Sequence, residues 1–239
     1  MTADLRFFIY RLHYAPDNAS LIIRLALEEL GLPYTTALVD RSRRAQDSAA
    51  YRELTPTGLV PVLETPLGRI FETGAILLWL SETHGALAPQ PGSAERPDFL
   101  KWLFFVSNTL HADARLHFYP ETHAGSEVGM KGFRAEVAGR ILRHLRLLDS
   151  MAQHDRPGWF SPEQPSVLTF YVTCLMRWIS LYPTDRKGRI TTGTFPALHQ
   201  IALATETRPA ALRAAGAEGL GQTIFSSPDY ADPPEGSAL

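Results

Sequence analysis

The sequence predicts an α/β unit followed by an all-helical one. Three observations carry this reading. Strand-like and helix-like apolar patterns alternate through the first 85 residues, strand signals vanish after position 97, and ALAPQPGSAERP (86–97), with three prolines in twelve residues, separates the two regimes. The expected organisation is therefore an α/β domain at 1–85, a linker at 86–97, a helical domain at 98–225 and a tail at 226–239.

Residues 5–14, LRFFIYRLHY, are rich in aromatic and branched side chains and read as the first strand. APDNA (15–19) is a turn. From Ser20 the run SLIIRLALEELGLPY carries an amphipathic helix that ends at Gly31, a C-terminal cap, with Pro33 just beyond. Residues 34–39 form the next strand, so strand, helix and strand follow within about 35 residues, the length of a right-handed βαβ unit. Residues 41–54 are polar and predict a short, loosely packed helix.

The next stretch, TPTGLVPVLETPLGRIFETGAILLWLSETHG (55–85), organises this half. It reads as a loop, a strand (60–64), a turn at Pro66-Leu67-Gly68, a strand (69–71) and a helix from Thr73. Pro61 has no N–H for a sheet ladder, so it opens an edge strand or follows a cis peptide bond. In both cases the Val60–Pro61 backbone is free to pair outside the sheet. Glu72 and Thr73 put an acid and a hydroxyl at a helix start, where free N–H groups and the helix dipole attract an anion. The pair of features suits a peptide-like ligand carrying a carboxylate. The resulting order, β-α-β-α-β-β-α, is thioredoxin-like.

The helical half is predicted at 98–119, 128–151, 166–182, 195–207 and 210–217. Leu100, Leu103, Phe104, Ser107, Leu110 and Ala114 share one helical face, and Val137, Ile141, Leu145 and Leu148 another. The 166–182 run is apolar nearly all round and reads as the buried central helix. The tail from Ser226 is expected to be ordered only by packing on the surface.

Composition narrows the function. With 23 basic residues against 25 acidic ones, nothing points to nucleic acid. The single cysteine, Cys174, excludes an internal disulfide and a multi-cysteine zinc site, and fits a reducing cytoplasm. His111, His117 and His123, spaced by six, do not stack on one helical face, so no metal site is expected. No run approaches the ~18 apolar residues of a membrane span, and MTADLRFFIY lacks the pattern of a secretion signal.

The GLVPVL run at 58–63, Glu72-Thr73 followed by Ala75-Ile76, and the FPAL…RPA pattern between Phe195 and Ala210 resemble the cytosolic glutathione transferases, and the bacterial beta-type members most. The resemblance implies a thioredoxin-like domain followed by a helical bundle, glutathione as co-substrate and a homodimer. It further implies that Val60, before a cis Pro61, pairs its backbone with the cysteinyl unit of glutathione, and that Glu72 and Thr73 hold the γ-glutamyl group. Family members usually open the central helix with a hydroxyl and, three residues later, an aspartate. Here the pair is Ser166 and Thr169, so a weaker reciprocal cap is expected.

Glutathione chemistry needs a donor that stabilises the thiolate. The family fold places it at the end of the first strand or the start of the first helix, which leaves Tyr14, Ser20 and, behind them, Asn18. Ala19 stands where beta-type members carry a cysteine, so no protein–glutathione mixed disulfide forms there. Each candidate also has a plain structural role: Ser20 as a helix cap, Asn18 in an Asp-Asn turn, Tyr14 as a packed strand residue. His111, within TLH, matches the beta-type histidine that faces glutathione, although Ala112 follows where relatives often have lysine. Asp113, Arg115 and His117 either shape an electrophile pocket or make surface ion pairs, the second being favoured.

The expectation is a cytoplasmic, homodimeric detoxifying transferase that joins glutathione to a hydrophobic electrophile held near Tyr14, Phe105, Asn108 and His111, with no metal, membrane or nucleic-acid partner. Two alternatives stand beside it. One is a glutathione- or apolar-ligand-binding protein without turnover, favoured by Ala19. The other is a glutathione-dependent disulfide reductase, which needs no protein cysteine when two glutathiones do the exchange.

Overall fold

A parallel pair opens the chain: β1 (Tyr10–Tyr14) and β2 (Tyr34–Leu38) run side by side with Tyr10 opposite Tyr34, joined through α1 (Ser20–Glu29). The computed structural model describes residues 8–124, 127–182 and 190–238, so positions 5–7 of the predicted first strand lie outside the described residues. β3 (Val62–Thr65) pairs antiparallel with β1, and β4 (Gly68–Phe71) with β3, giving the order β2-β1-β3-β4. The central β1 is covered on both faces. Tyr10, Leu12 and Tyr14 are buried in the main core, while His13 packs on the far face near Tyr51 and bonds Glu64 Oε1 at 2.7 Å.

Eight of the ten residues of α1 are buried, because it is wedged between the sheet and the helical half. The polar 41–54 segment is less regular than the predicted helix. It forms two 3-10 turns and a single helical turn, α2 (Ala49–Arg52), in which only Tyr51 is buried. α3 (Thr73–His84) then closes the thioredoxin-like half and ends at Gly85 in the left-handed region, φ 63°.

The helical half contains α4 (Arg96–Phe105), α5 (His111–Phe118), α6 (Glu127–Ser150), α7 (Val167–Leu181), α8 (Pro196–Glu206) and α9 (Pro209–Glu218). A π-helical turn at Val106–Leu110 links α4 to α5 without a break. Every residue of α7 is buried, as its apolar run predicts. Its cap closes without a carboxylate: Ser166 Oγ accepts the Leu168 N–H at 3.2 Å and Thr169 Oγ1 accepts the Ser166 N–H at 3.0 Å.

The tail differs from the expectation of mere surface packing, because polar bonds tie it down. Glu206 accepts the N–H groups of Phe225 and Ser226, each at 3.0 Å, and Asp232 N–H donates to Gly219 at 2.9 Å. Tyr230 donates to the Leu181 carbonyl at 3.0 Å. Among the described residues, no helix is long and apolar enough to cross a membrane.

Candidate functional site

A cleft of about 930 Å³ opens between the two halves. Its thioredoxin-like wall contains the 57–61 loop and the start of α3. The Val60–Pro61 peptide is cis, and the β1–β3 ladder begins only at Val62, which leaves the Val60 backbone beyond the last rung and on the cleft. Glu72 caps α3 at φ 73°, a region that costs a non-glycine residue about 1–3 kcal/mol and is tolerated where the surroundings demand it. That geometry presents Glu72, the Thr73 hydroxyl and the free N–H groups of the first turn of α3 to the cleft. Gly74 permits close approach of the helical half, since a Cβ there would lie 3.3 Å from the Ser107 Cβ.

The helical wall is built by the π turn and α5, which place Asn108 and His111 in the cleft, and by Tyr171 of α7. His111 Nδ1 and the Tyr171 hydroxyl hydrogen-bond at 2.9 Å. Burial, followed by the Arg115 charge, pushes the His111 pKa down to about 4, so the imidazole is neutral near pH 7. Burial also raises the Tyr171 phenol, with the nearby Glu72 carboxylate adding to the effect and the Thr73 hydroxyl opposing it. Tyr171 thus joins the helical half to the start of α3.

The third part of the wall is the turn at Asp17, Asn18 and Ala19. Asp17 adopts φ 48° and is completely buried at its carboxylate. Asn18 Oδ1 accepts the Ala19 N–H at 2.9 Å, which leaves the side-chain NH₂ as a donor on the cleft.

Residues 19–83 match the family model described as glutathione S-transferase, N-terminal domain. Glutathione S-transferase GstA of Escherichia coli O157:H7 is 24% identical over 183 residues, covering 74% of this chain and 86% of the relative. A sphingomonad glutathione S-transferase, solved with glutathione, is 27% identical and superposes with a TM-score of 0.69 over 88% of this chain and 100% of that one. Residues 19–83 are thus a glutathione S-transferase N-terminal domain, and the fold of the chain is that of the glutathione transferases. Disulfide-bond oxidoreductase YghU of Escherichia coli (strain K12) is 31% identical over 137 residues, 54% of this chain, and the match spans under half of that relative, 46%.

Within this glutathione transferase scaffold, the candidates for the thiol donor separate. Tyr14 is 2% exposed, donates its hydroxyl to Glu235 of the tail and carries the Arg24 guanidinium 4.7 Å above its ring. Ser20 is fully buried, donating to the Ala15 carbonyl at 3.0 Å and accepting the Ala15 N–H at 3.2 Å. Neither lines the cleft, whereas Asn18 does. Tyr14 is therefore tied to the tail, and Ser20 pins the Ala15 turn that precedes α1.

Two other expectations shift. Phe105 packs edge-on against Trp102 and His144, and its neighbour Phe104 lines the cleft in its place. Asp113 turns away to a buried site beneath α6, bound to Arg140 at 2.7 Å and His144 at 2.9 Å, and His117 is buried as well. Arg115, read as a surface ion-pair residue, is on the cleft. Sequence reasoning passed over Tyr171, Arg41 and Gln46, which also line it. An apolar helix containing a tyrosine at the depth of Thr73 carries no local signal.

Proposed function

We propose that this chain is a glutathione transferase that holds glutathione along Val60, cis-Pro61, Glu72 and Thr73 and adds its thiol to an electrophile lodged against Phe104, Asn108 and His111. The observation that carries this reading is the convergence of the free Val60 backbone, the Glu72 carboxylate and the start of α3 on the cleft that Asn18 also faces. The Val60 backbone pairs with the cysteinyl unit. Thr73 and the N–H groups of α3 take the γ-glutamyl carboxylate, and Glu72 takes its ammonium. The Asn18 NH₂ donates to the sulfur and stabilises the thiolate. The thiolate then attacks the electrophilic carbon, an S–C bond forms, and the leaving group departs with its electron pair. A cytoplasmic site of action, a homodimer and a role in detoxification complete the proposal. The buried lone cysteine supports the first.

The test is the ultraviolet absorbance of the thiolate in the glutathione-bound protein as pH is raised. In the wild type the bound thiol is expected to ionise below the roughly 8.5 of a free cysteine thiol. Asn18→Ala is expected to restore the ordinary value, while Tyr14→Phe and Ser20→Ala leave the shift in place. An unshifted thiol in the wild type would replace conjugation with ligand binding lacking turnover.

The relative described as a disulfide-bond oxidoreductase favours a second reading. Since the sole cysteine is buried, two glutathiones must supply the electrons. One thiolate attacks the disulfide and releases a thiolate, and the second resolves the mixed disulfide to oxidised glutathione. Turnover of a small disulfide that exceeds conjugation of any electrophile would select it.

A further inference from the structure

The end of the cleft beyond the glutathione residues is cationic. Arg115 stands one helical turn beyond His111 on α5 and lines the cleft, its charge near enough to help hold that imidazole neutral. Arg41 enters from the opposite wall, just after β2. Its Nη2 donates to the Tyr119 hydroxyl at 3.0 Å and its Nη1 to the Ala238 carbonyl at 3.4 Å. Its head is thus anchored between the two halves, and its partners among the described residues are neutral. Among the described residues, no carboxylate pairs with Arg41 or Arg115. The acids that do line the cleft are committed elsewhere: Asp17 is neutralised by Arg177, and Glu72 sits at the start of α3.

The cleft between and beside these charges is also apolar on its helical wall, where Phe118 neighbours Arg115 on α5 and Leu103 and Phe104 line the approach from α4. A purely hydrophobic electrophile would displace water from both guanidinium groups and give nothing back. An amphipathic acid solves both problems, because its body covers the apolar wall and its carboxylate matches the planar guanidinium fork. We infer that the second substrate carries a carboxylate, held by Arg115 and Arg41, with its apolar portion directed toward the glutathione sulfur. This inference rests on the glutathione-transferase reading and narrows its acceptor from any hydrophobic electrophile to an acidic one.

The experiment uses stable thioethers, so it needs no turnover. S-Benzylglutathione and its 3- and 4-carboxybenzyl counterparts are titrated calorimetrically into the full chain, wild type and Arg115→Gln. The better carboxylated ligand is expected to bind the wild type about tenfold more tightly than S-benzylglutathione, the gain of one charge-assisted contact. Arg115→Gln is expected to bring that ratio near one. Equal affinities in the wild type, while both ligands bind, would overturn the carboxylate subsite and leave the glutathione reading standing. An equal loss for all ligands in Arg115→Gln, glutathione included, would assign this arginine to glutathione itself and overturn the subsite too. Failure of every thioether and of glutathione to bind the wild type would remove the glutathione reading, and this inference with it.

Discussion

Arg177 and Asp17, separated by 160 residues of sequence, meet as a buried fork in which the guanidinium Nε and Nη2 lie 2.8 and 2.9 Å from the two carboxylate oxygens. Trp178 Nε1 gives Asp17 a third donor at 2.7 Å. The Asp17 N–H in turn donates to Glu218 at 2.8 Å, and the other Glu218 oxygen accepts Arg24 Nε at 2.6 Å. The turn that presents Asn18 to the cleft is therefore held in place by α7 and α9. Arg177 also donates to the carbonyls of Ile224 and Asp229, both at 2.9 Å, which draws the tail into the same node.

Arg177→Met leaves Asp17 as an uncompensated buried charge, a loss of about 3–5 kcal/mol. Urea unfolding should show this, and glutathione affinity should fall with it because the turn loosens. Adding Asp17→Asn to Arg177→Met should recover part of the stability, since the stranded charge is then gone. A double variant as unstable as the sum of the two single variants would mean that the two residues do not act as a pair.

Glu72→Gln keeps the shape of the α3 cap and removes its charge. If Glu72 holds the ammonium of the γ-glutamyl group, calorimetry should record a loss of about 1.5–3 kcal/mol in glutathione binding, roughly 10- to 150-fold. A change under about twofold would detach Glu72 from the ligand.

His111 gives the protein a pH dependence of known sign. Its pKa is lowered from 6.5 to about 4 in the folded state, first by burial and then by Arg115. Between those values the unfolded chain binds a proton that the folded chain does not, so stability rises with pH across this window. The contribution is complete above pH 6.5 and is lost as pH falls toward 4. In thermal melts from pH 4 to 7, His111→Gln should flatten this part of the curve.

Gly219 has φ +66°, and a Cβ there would lie 1.9 Å from the Asp232 carbonyl oxygen. Gly219→Ala should free the tail, read as faster limited proteolysis after residue 219 and a lower Tm. Gly216→Ala, inside α9 with nothing within 4 Å, is the matched control. It should raise stability by about 0.5–1 kcal/mol through helix propensity alone.

How far the sequence could be read depended on the range of the deciding contacts. Val60-Pro61 and Glu72-Thr73 were legible because a missing N–H and a helix start are local properties. Tyr14 and Ser20 looked like cleft hydroxyls because a strand end and a helix start carry the same local signal in either orientation. What occupies Tyr14 is Glu235, 221 residues away. Phe104 replaced Phe105 for a subtler reason. Phe105 is drawn instead against Trp102 and His144, and a contact with α6, further along the chain, leaves no local signal. Arg177 was hidden in an apolar run, since no periodicity announces a buried cation whose partner lies in the other half of the chain.

Alanine at position 19, on a cleft served by a chain whose sole cysteine is 0% exposed and has its thiol pKa raised by burial, has one further consequence. Peroxides and alkylating agents find no protein thiolate there to consume. On the proposed glutathione reading, any sulfur lost to them belongs to a ligand that diffuses away and is replaced from the surrounding pool. Damage is thereby exported with the ligand, and the chain itself stays ready for the next molecule.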